Sequence, residues 1–297
     1  MKFLYKIPGP ILITMGAFFL SYGGLLVKSF EGSDLWQILL YRSIFCFLTV
    51  GVFLFFAYKK ETFKKFKISG LPGLFAGFWI SLGFTAYVFA MYNTTVANVN
   101  FTITTQTIFL ALFGYIFLRE KISVYTLISI ILAMSGVLLM IGNSLSTGGL
   151  LGNIVALVMP IAFAVLVVIV RKYPTVDMVP AMFVAAFLSA IYASFLVNSF
   201  YISPKDLLLS FLLGTFQIGF GFICITIGSK NTPAAIVGIL MLVEAILGPV
   251  WAWIFINELP PLIVIIGGAI IMFSILFQSI FVGKKGLLFY CLTFSTM

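Results

Sequence analysis

The chain has 297 residues, 62% of them hydrophobic and 8% charged. A soluble domain carries about 25% charged residues, so this one cannot cover a water-facing surface. Its mean hydropathy of +1.22 marks lipid as the solvent and the chain as a polytopic membrane protein.

Ten apolar segments follow in chain order, at 9–28, 35–58, 69–92, 95–118, 122–142, 150–170, 178–198, 206–229, 232–256 and 261–282. Each is near the ~20 residues that cross ~30 Å of hydrocarbon as a helix. Pro8, Pro10, Pro72, Pro180, Pro204, Pro233, Pro260 and Pro261 fall at or near helix starts, where a missing N–H costs little. The run from Ile7 to Val27 is too long for a signal-peptide core and reads as an uncleaved helix. Loops are short, and no soluble domain is expected. The residues after Gly283 hold an apolar patch too short to span, expected on the membrane surface or disordered.

There is no His, and the three Cys (Cys46, Cys224, Cys291) are scattered. Neither a metal site nor a disulfide framework is expected, and no cofactor. With the N-terminus inside, 14 of the 17 basic residues fall on inside segments, among them the cluster Lys59, Lys60, Lys64, Lys65 and Lys67. Only Lys28 and Lys205 fall outside, and Arg42 lies within the second helix. The positive-inside rule therefore predicts both termini in the cytoplasm. It accounts for the basic charge without nucleic acid, the lysine cluster being a topology signal in contact with anionic lipid or simply a solvated loop. The Lys, Ile and Phe bias points to a bacterial inner membrane.

Sliding the chain by 138 positions aligns 77–120 on 215–258 without a gap, with 12 identical pairs in 44. They include Phe84/Phe222, Asn93/Asn231, Thr94/Thr232 and Glu120/Glu258. Residue frequencies alone give far fewer. The copies lie five helices apart, an odd number, so they run oppositely through the membrane. Inverted repeats are the usual build of secondary transporters; a duplicated structural bundle is the plainer alternative. The expected fold is all-α, ten transmembrane helices in two inverted five-helix repeats around a central cavity. The units are 1–147 and 148–285, with a short tail at 286–297.

Residues Val243 to Trp253, holding Glu244 and Pro249, followed by Glu258, resemble the EamA-type family of the drug/metabolite transporter superfamily. Phe117 to Lys121 resembles the matching end of the fourth helix, and Lys28 and Arg42 also resemble family features. Helix 1 departs from a frequent Trp-Gly pair, reading Ser21-Tyr22-Gly23-Gly24. The resemblance implies ten helices in two halves, a central cavity and movement of small metabolites, more often out than in, with an energy source that varies and is often assumed to be the proton motive force.

Ionisable groups inside a membrane are functional suspects. Glu244 lies about 13 residues into the ninth helix, roughly 18 Å deep and near the midplane. A carboxyl there can couple proton flow to transport, pair with a substrate amine, or simply be held by hydrogen bonds to nearby backbone. Its repeat partner, Gln106, cannot titrate. Arg42 lies about eight residues into the second helix, roughly 12 Å deep, and needs a partner: a substrate carboxylate, helix carbonyls, Glu244 or the interface. Together the two can hold the ends of a zwitterion, which favours an amino-acid-like solute; a direct salt bridge would be a structural role instead. Trp79, Tyr87, Asn98, Asn100, Thr104, Gln106, Gln217 and Trp251 are further candidates for the cavity wall, or for helix packing. Glu120 and Glu258 close their helices against the dipole and are expected to meet a cation or the start of the next helix.

Three rival functions each call for other features. A membrane enzyme needs a clustered nucleophile, acid-base pair or metal set, and none is visible. A channel differs from a carrier in lacking saturable, counter-substrate-stimulated flux. A retinal receptor needs a mid-helix Lys. The expected partners are a small-molecule substrate, protons and membrane lipid.

Overall fold

The computed structural model describes residues 2–94, 96–141, 150–256 and 262–294, and among them every regular element is helical. In chain order the α-helices are α1 (Gly9–Ser21), α2 (Gly23–Lys28), α3 (Leu35–Tyr58), α4 (Thr62–Asn93), α5 (Val96–Thr104), α6 (Gln106–Leu118), α7 (Val124–Ile141) and α8 (Leu150–Ala156). There follow α9 (Val158–Lys172), α10 (Val179–Leu196), α11 (Pro204–Phe211), α12 (Gly221–Gly228), α13 (Ala234–Met241), α14 (Val243–Ile256) and α15 (Leu262–Phe294). A π-helical segment, Leu212–Phe220, joins α11 to α12.

Among the described residues six stretches are long and apolar enough to cross a membrane. They are Gly9–Lys28, Leu35–Asn93, Leu150–Lys172, Val179–Leu196, Pro204–Gly228 and Ala234–Phe255. Shorter apolar helices cover Thr102–Leu118, Val124–Leu139 and Ile265–Gln278. The chain is a multi-pass membrane protein. The 59-residue stretch Leu35–Asn93 is two helices, reversed at Lys59–Glu61, where Lys59 takes φ 51°. Within α4 the axis turns again at Gly70 (φ 49°, ψ −148°), a backbone shape open to glycine at little cost.

Several expected single helices are divided. The segment 9–28 is offset at Tyr22, 95–118 at Thr105, 150–170 at Leu157 and 232–256 at Leu242, while 206–229 carries the π-helical segment. Their apolar runs are continuous, so hydropathy gives no sign of the divisions. The last helix continues to Phe294 instead of ending near residue 282.

Close packing uses small residues, as lipid-embedded helices require. α1 lies against α12: a Cβ on Gly9 would sit 2.5 Å from the Gly228 carbonyl oxygen, and one on Gly16 would sit 2.9 Å from that of Gly221. α6 crosses α13 where Thr107 Oγ1 donates to the Gly238 carbonyl at 3.1 Å.

Polar contacts gather at two ends, connected by the 24-residue α3, a rise of about 36 Å. At one end Tyr5 Oη donates to Asp177 Oδ2 (2.7 Å), and Tyr58 Oη donates to the same oxygen. Lys65 Nζ lies 4.9 Å from the Tyr58 ring centre and Lys230 Nζ 5.8 Å from that of Tyr5. Burial pushes the Tyr5 hydroxyl pKa up, reinforced by Asp177. Burial likewise pushes the Lys230 ammonium down; Asp177 opposes this and Lys65 adds to it. At the other end Asp206 accepts Ser33 Oγ (2.6 Å) and the Glu31 N–H (3.1 Å), Lys205 pairs with Glu31 (2.5 Å), and Asp34 forms a capping box with Gln37.

Glu120 ties α6 to the second half of the chain. It pairs with Arg171 and accepts the Ala234 N–H at 2.8 Å, capping α13. A cation and a helix start both meet it, though the helix is α13 and not the one that follows Glu120. Glu258 lies outside the described residues.

Candidate functional site

A cavity of about 70 Å³ sits in the middle of the bundle. Sixteen residues line it, eight from before residue 147 and eight from after it. Four pairs among them stand 138 positions apart: Ile80/Ile218, Phe84/Phe222, Ile103/Met241 and Gln106/Glu244. The rings of Phe84 and Phe222 meet edge to face, centroids 5.3 Å apart. Equivalent side chains from the two repeats therefore touch at the centre.

The helices that carry Gln106 and Glu244 are both tightened just before those residues. Thr105 N–H donates to the Thr102 carbonyl at 3.2 Å, and Leu242 N–H to that of Ile239 at 3.2 Å. Both are i→i−3 bonds of the 3₁₀ kind, which within a helix often mark a hinge. Gln106 opens α6, and Glu244 is the second residue of α14. Interrupted helices at the midplane are a recurring way to build a transport site.

Five of the expected residues come together here: Arg42, Tyr87, Gln106, Gln217 and Glu244. Arg42 is 1% exposed. Its Nη2 donates to the Phe84 carbonyl at 3.0 Å, while among the described residues Nε and Nη1 have no hydrogen-bond partner. The guanidinium carbon lies 5.3 Å from the Tyr87 ring centre and 5.6 Å from that of Phe84, so two aromatic faces hold the cation. Tyr87 lies within electrostatic reach of both Arg42 and Glu244. Glu244 is half-buried on the cavity wall. Among the described residues no ion pair joins Arg42 to Glu244, so the salt bridge weighed from sequence is not what holds them.

The other candidates stand elsewhere. Trp79 is roughly a quarter turn from the Ile80–Phe84–Tyr87 stripe and packs on Phe75, centroids 6.3 Å apart. Trp251 shares the Glu244 stripe but lies two turns, about 10 Å, along the axis; its Nε1 donates to Ser21 Oγ at 2.7 Å. Asn100 and Thr104 do not line the cavity. The side chain of Asn98 lies outside the described residues. Sequence reading missed the apolar lining residues Leu20, Met159, Phe163 and Phe222. Of these only Phe222, as the repeat partner of Phe84, left a signal.

The EamA-like transporter family model matches residues 7–142 and again 147–280. One solved crystal structure has a similar fold, with a TM-score of 0.74 over 92% of this chain and 97% of its own, at 16% identity. Among curated proteins none matches the sequence. Two successive matches that cover most of the chain place it in a class of repeat-built membrane carriers of small solutes. The chain belongs to the EamA-like transporter family, within the drug/metabolite transporter superfamily.

Proposed function

We propose that this chain is a secondary active transporter that moves an amino-acid-like solute by alternating access, as an exporter in a bacterial inner membrane. The observation that carries the reading is the pair of tightened turns shortly before Gln106 and Glu244, on a cavity lined equally from both repeats. Equivalent hinges in two halves let each half open one side. Counting the reversal at Lys59–Glu61, the six long stretches and three shorter helices make ten crossings, with both termini cytoplasmic. The units are 1–147 and 148–285, followed by the tail 286–297. Their opposite orientation makes the repeat an inverted one.

In this reading Arg42 takes the solute carboxylate and Glu244 is the carboxyl that binds and releases a proton. The end that holds Tyr5, Tyr58 and Asp177 is the cytoplasmic gate, and the Asp206 end is the outer one; each must part in turn. Trp79, Asn100 and Trp251 belong to the solute path outside the central cavity.

The test is counterflow in proteoliposomes of the full chain loaded with single amino acids. Saturable, counter-substrate-stimulated uptake supports a carrier, and Glu244→Gln abolishes its response to a pH gradient. Flux that rises linearly with concentration overturns the reading in favour of a channel. A pH response kept in Glu244→Gln removes the coupling role.

A further inference from the structure

Among the described residues three buried polar atoms on the cavity wall have no hydrogen-bond partner: Nε and Nη1 of Arg42 and Oε1 of Gln217. Arg42 and Gln217 are 1% and 3% exposed. A buried polar group without a partner is costly, and a ligand that satisfies it recovers that cost. Nε and Nη1 face different edges of the guanidinium, and either is a cationic N–H donor that matches a carboxylate oxygen. The acceptor matches an N–H or O–H.

Their neighbourhood is compact. Gln217 Nε2 and Tyr87 Oη lie 2.5 and 2.9 Å from the point a Cβ on Gly23 would occupy, so they are no more than 5.4 Å apart. The Arg42 guanidinium stands over that same Tyr87 ring. Gly23 leaves this space free; any larger residue would fill it.

Gln217 owes its place to the π-helical segment Leu212–Phe220. Its repeat partner, Trp79, sits in ordinary α-helix and does not line the cavity. A π turn adds a residue and rotates what it carries. This one is seated on α3 at Arg42: a Cβ on Gly214 would collide with the Arg42 carbonyl oxygen and lie 2.5 Å from Phe45 Cβ. The same contact therefore positions both side chains.

We propose that Gln217 is a specificity-determining residue: Arg42 holds the solute carboxylate through an unpartnered guanidinium N–H while Gln217 Oε1 accepts a hydrogen bond from the ammonium on the adjacent carbon. This rests on the amino-acid-like reading above and deepens it. The site selects α-amino acids against carboxylates that lack the amino group, and against amines that lack the carboxylate. The solute side chain then faces Phe84, Phe163 and Met159.

The experiment measures binding to the purified full chain by thermal shift and calorimetry. The twenty common L-amino acids come first. The strongest binder is then compared with its des-amino acid and its decarboxylated amine. Wild type binds the amino acid at least about tenfold more tightly than the des-amino acid, as for a hydrogen bond to a charged group. Gln217→Leu brings that ratio below about twofold while the amino acid still beats the amine. Arg42→Gln removes the preference over the amine. Gln217→Glu keeps an acceptor oxygen and so keeps the preference over the des-amino acid, which a merely structural role would not produce. It also serves if Gln217→Leu fails to fold. A tenfold preference that survives in Gln217→Leu, or is lost in Gln217→Glu, overturns the proposal and leaves the amino-acid reading standing. Failure of all twenty amino acids to bind overturns both.

Discussion

Replacing Glu120 by Ala tests how the two repeats are locked together. The carboxylate does two things in the structure: it pairs with Arg171, and it accepts the Ala234 N–H at 2.8 Å at the start of α13. Loss of a helix cap costs about 0.5–2 kcal/mol. Both partners of the ion pair are 19% exposed, so solvent screens it only in part, and we assign it about 1–2 kcal/mol. The variant should lose about 2–3 kcal/mol in all. For a chain this large that lowers the melting temperature by about 5–10 °C. Glu120→Gln keeps an acceptor for Ala234 but drops the charge, so it should fall about midway. The assay is thermal unfolding of purified protein in detergent, with wild type and both variants side by side. A melting temperature for Glu120→Ala within about 1 °C of wild type refutes the reasoning. So does Glu120→Gln falling below Glu120→Ala, since the cap would then contribute nothing.

Two further predictions concern the site and its gate. Gly214→Ala drives a methyl into the backbone of α3 at Arg42, with Cys46 N only 3.0 Å away, where no side chain can swing aside. It should cost about 1–3 kcal/mol and weaken solute binding as well. Gly268→Ala, which among the described residues meets nothing within 4 Å, should leave both unchanged; equal effects in calorimetry and melting would sink the argument. Tyr5 ionises less readily in the folded chain than in the unfolded one, because of burial and then Asp177. Its contribution is therefore complete below the ordinary tyrosine pKa of about 10 and declines as pH rises past it. Wild type should exceed Tyr5→Phe by about 1–3 kcal/mol at pH 8, and the gap should narrow above pH 10. A gap that widens in melting curves from pH 8 to 11 would count against the Tyr5–Asp177 bond.

Much of the architecture was visible in composition and spacing. Runs of apolar residues set where helices lie, because lipid leaves the backbone no partner but itself. α3 begins at Leu35 and ends at Tyr58 as expected, since Asp34 caps one end and charged Lys59 and Lys60 follow the other. The repeat at 138 positions was legible because each half keeps its packing residues. It pairs Phe84 with Phe222 and Gln106 with Glu244, and all four line one cavity.

What sequence could not decide was rotation and register. A uniformly apolar helix carries no stripe to say which side faces inward, so Trp79 and Trp251 looked as eligible as Tyr87 and Gln217. The π-helical segment changes register without changing composition, and only neighbouring backbone fixes it. The tightened turns at Thr105 and Leu242 lie in unbroken hydrophobic sequence and arise from how helices cross. The repeat supplies the symmetric parts of the cavity. Its polar groups break that symmetry: Tyr87 stands against Ile225, Gln217 against Trp79 and Glu244 against Gln106, and Arg42 lies outside the aligned stretch. The sequence determined that two like halves would enclose a space in the membrane. Tertiary structure alone decided that these four unmatched side chains share it, because their directions depend on helix packing and not on residue type.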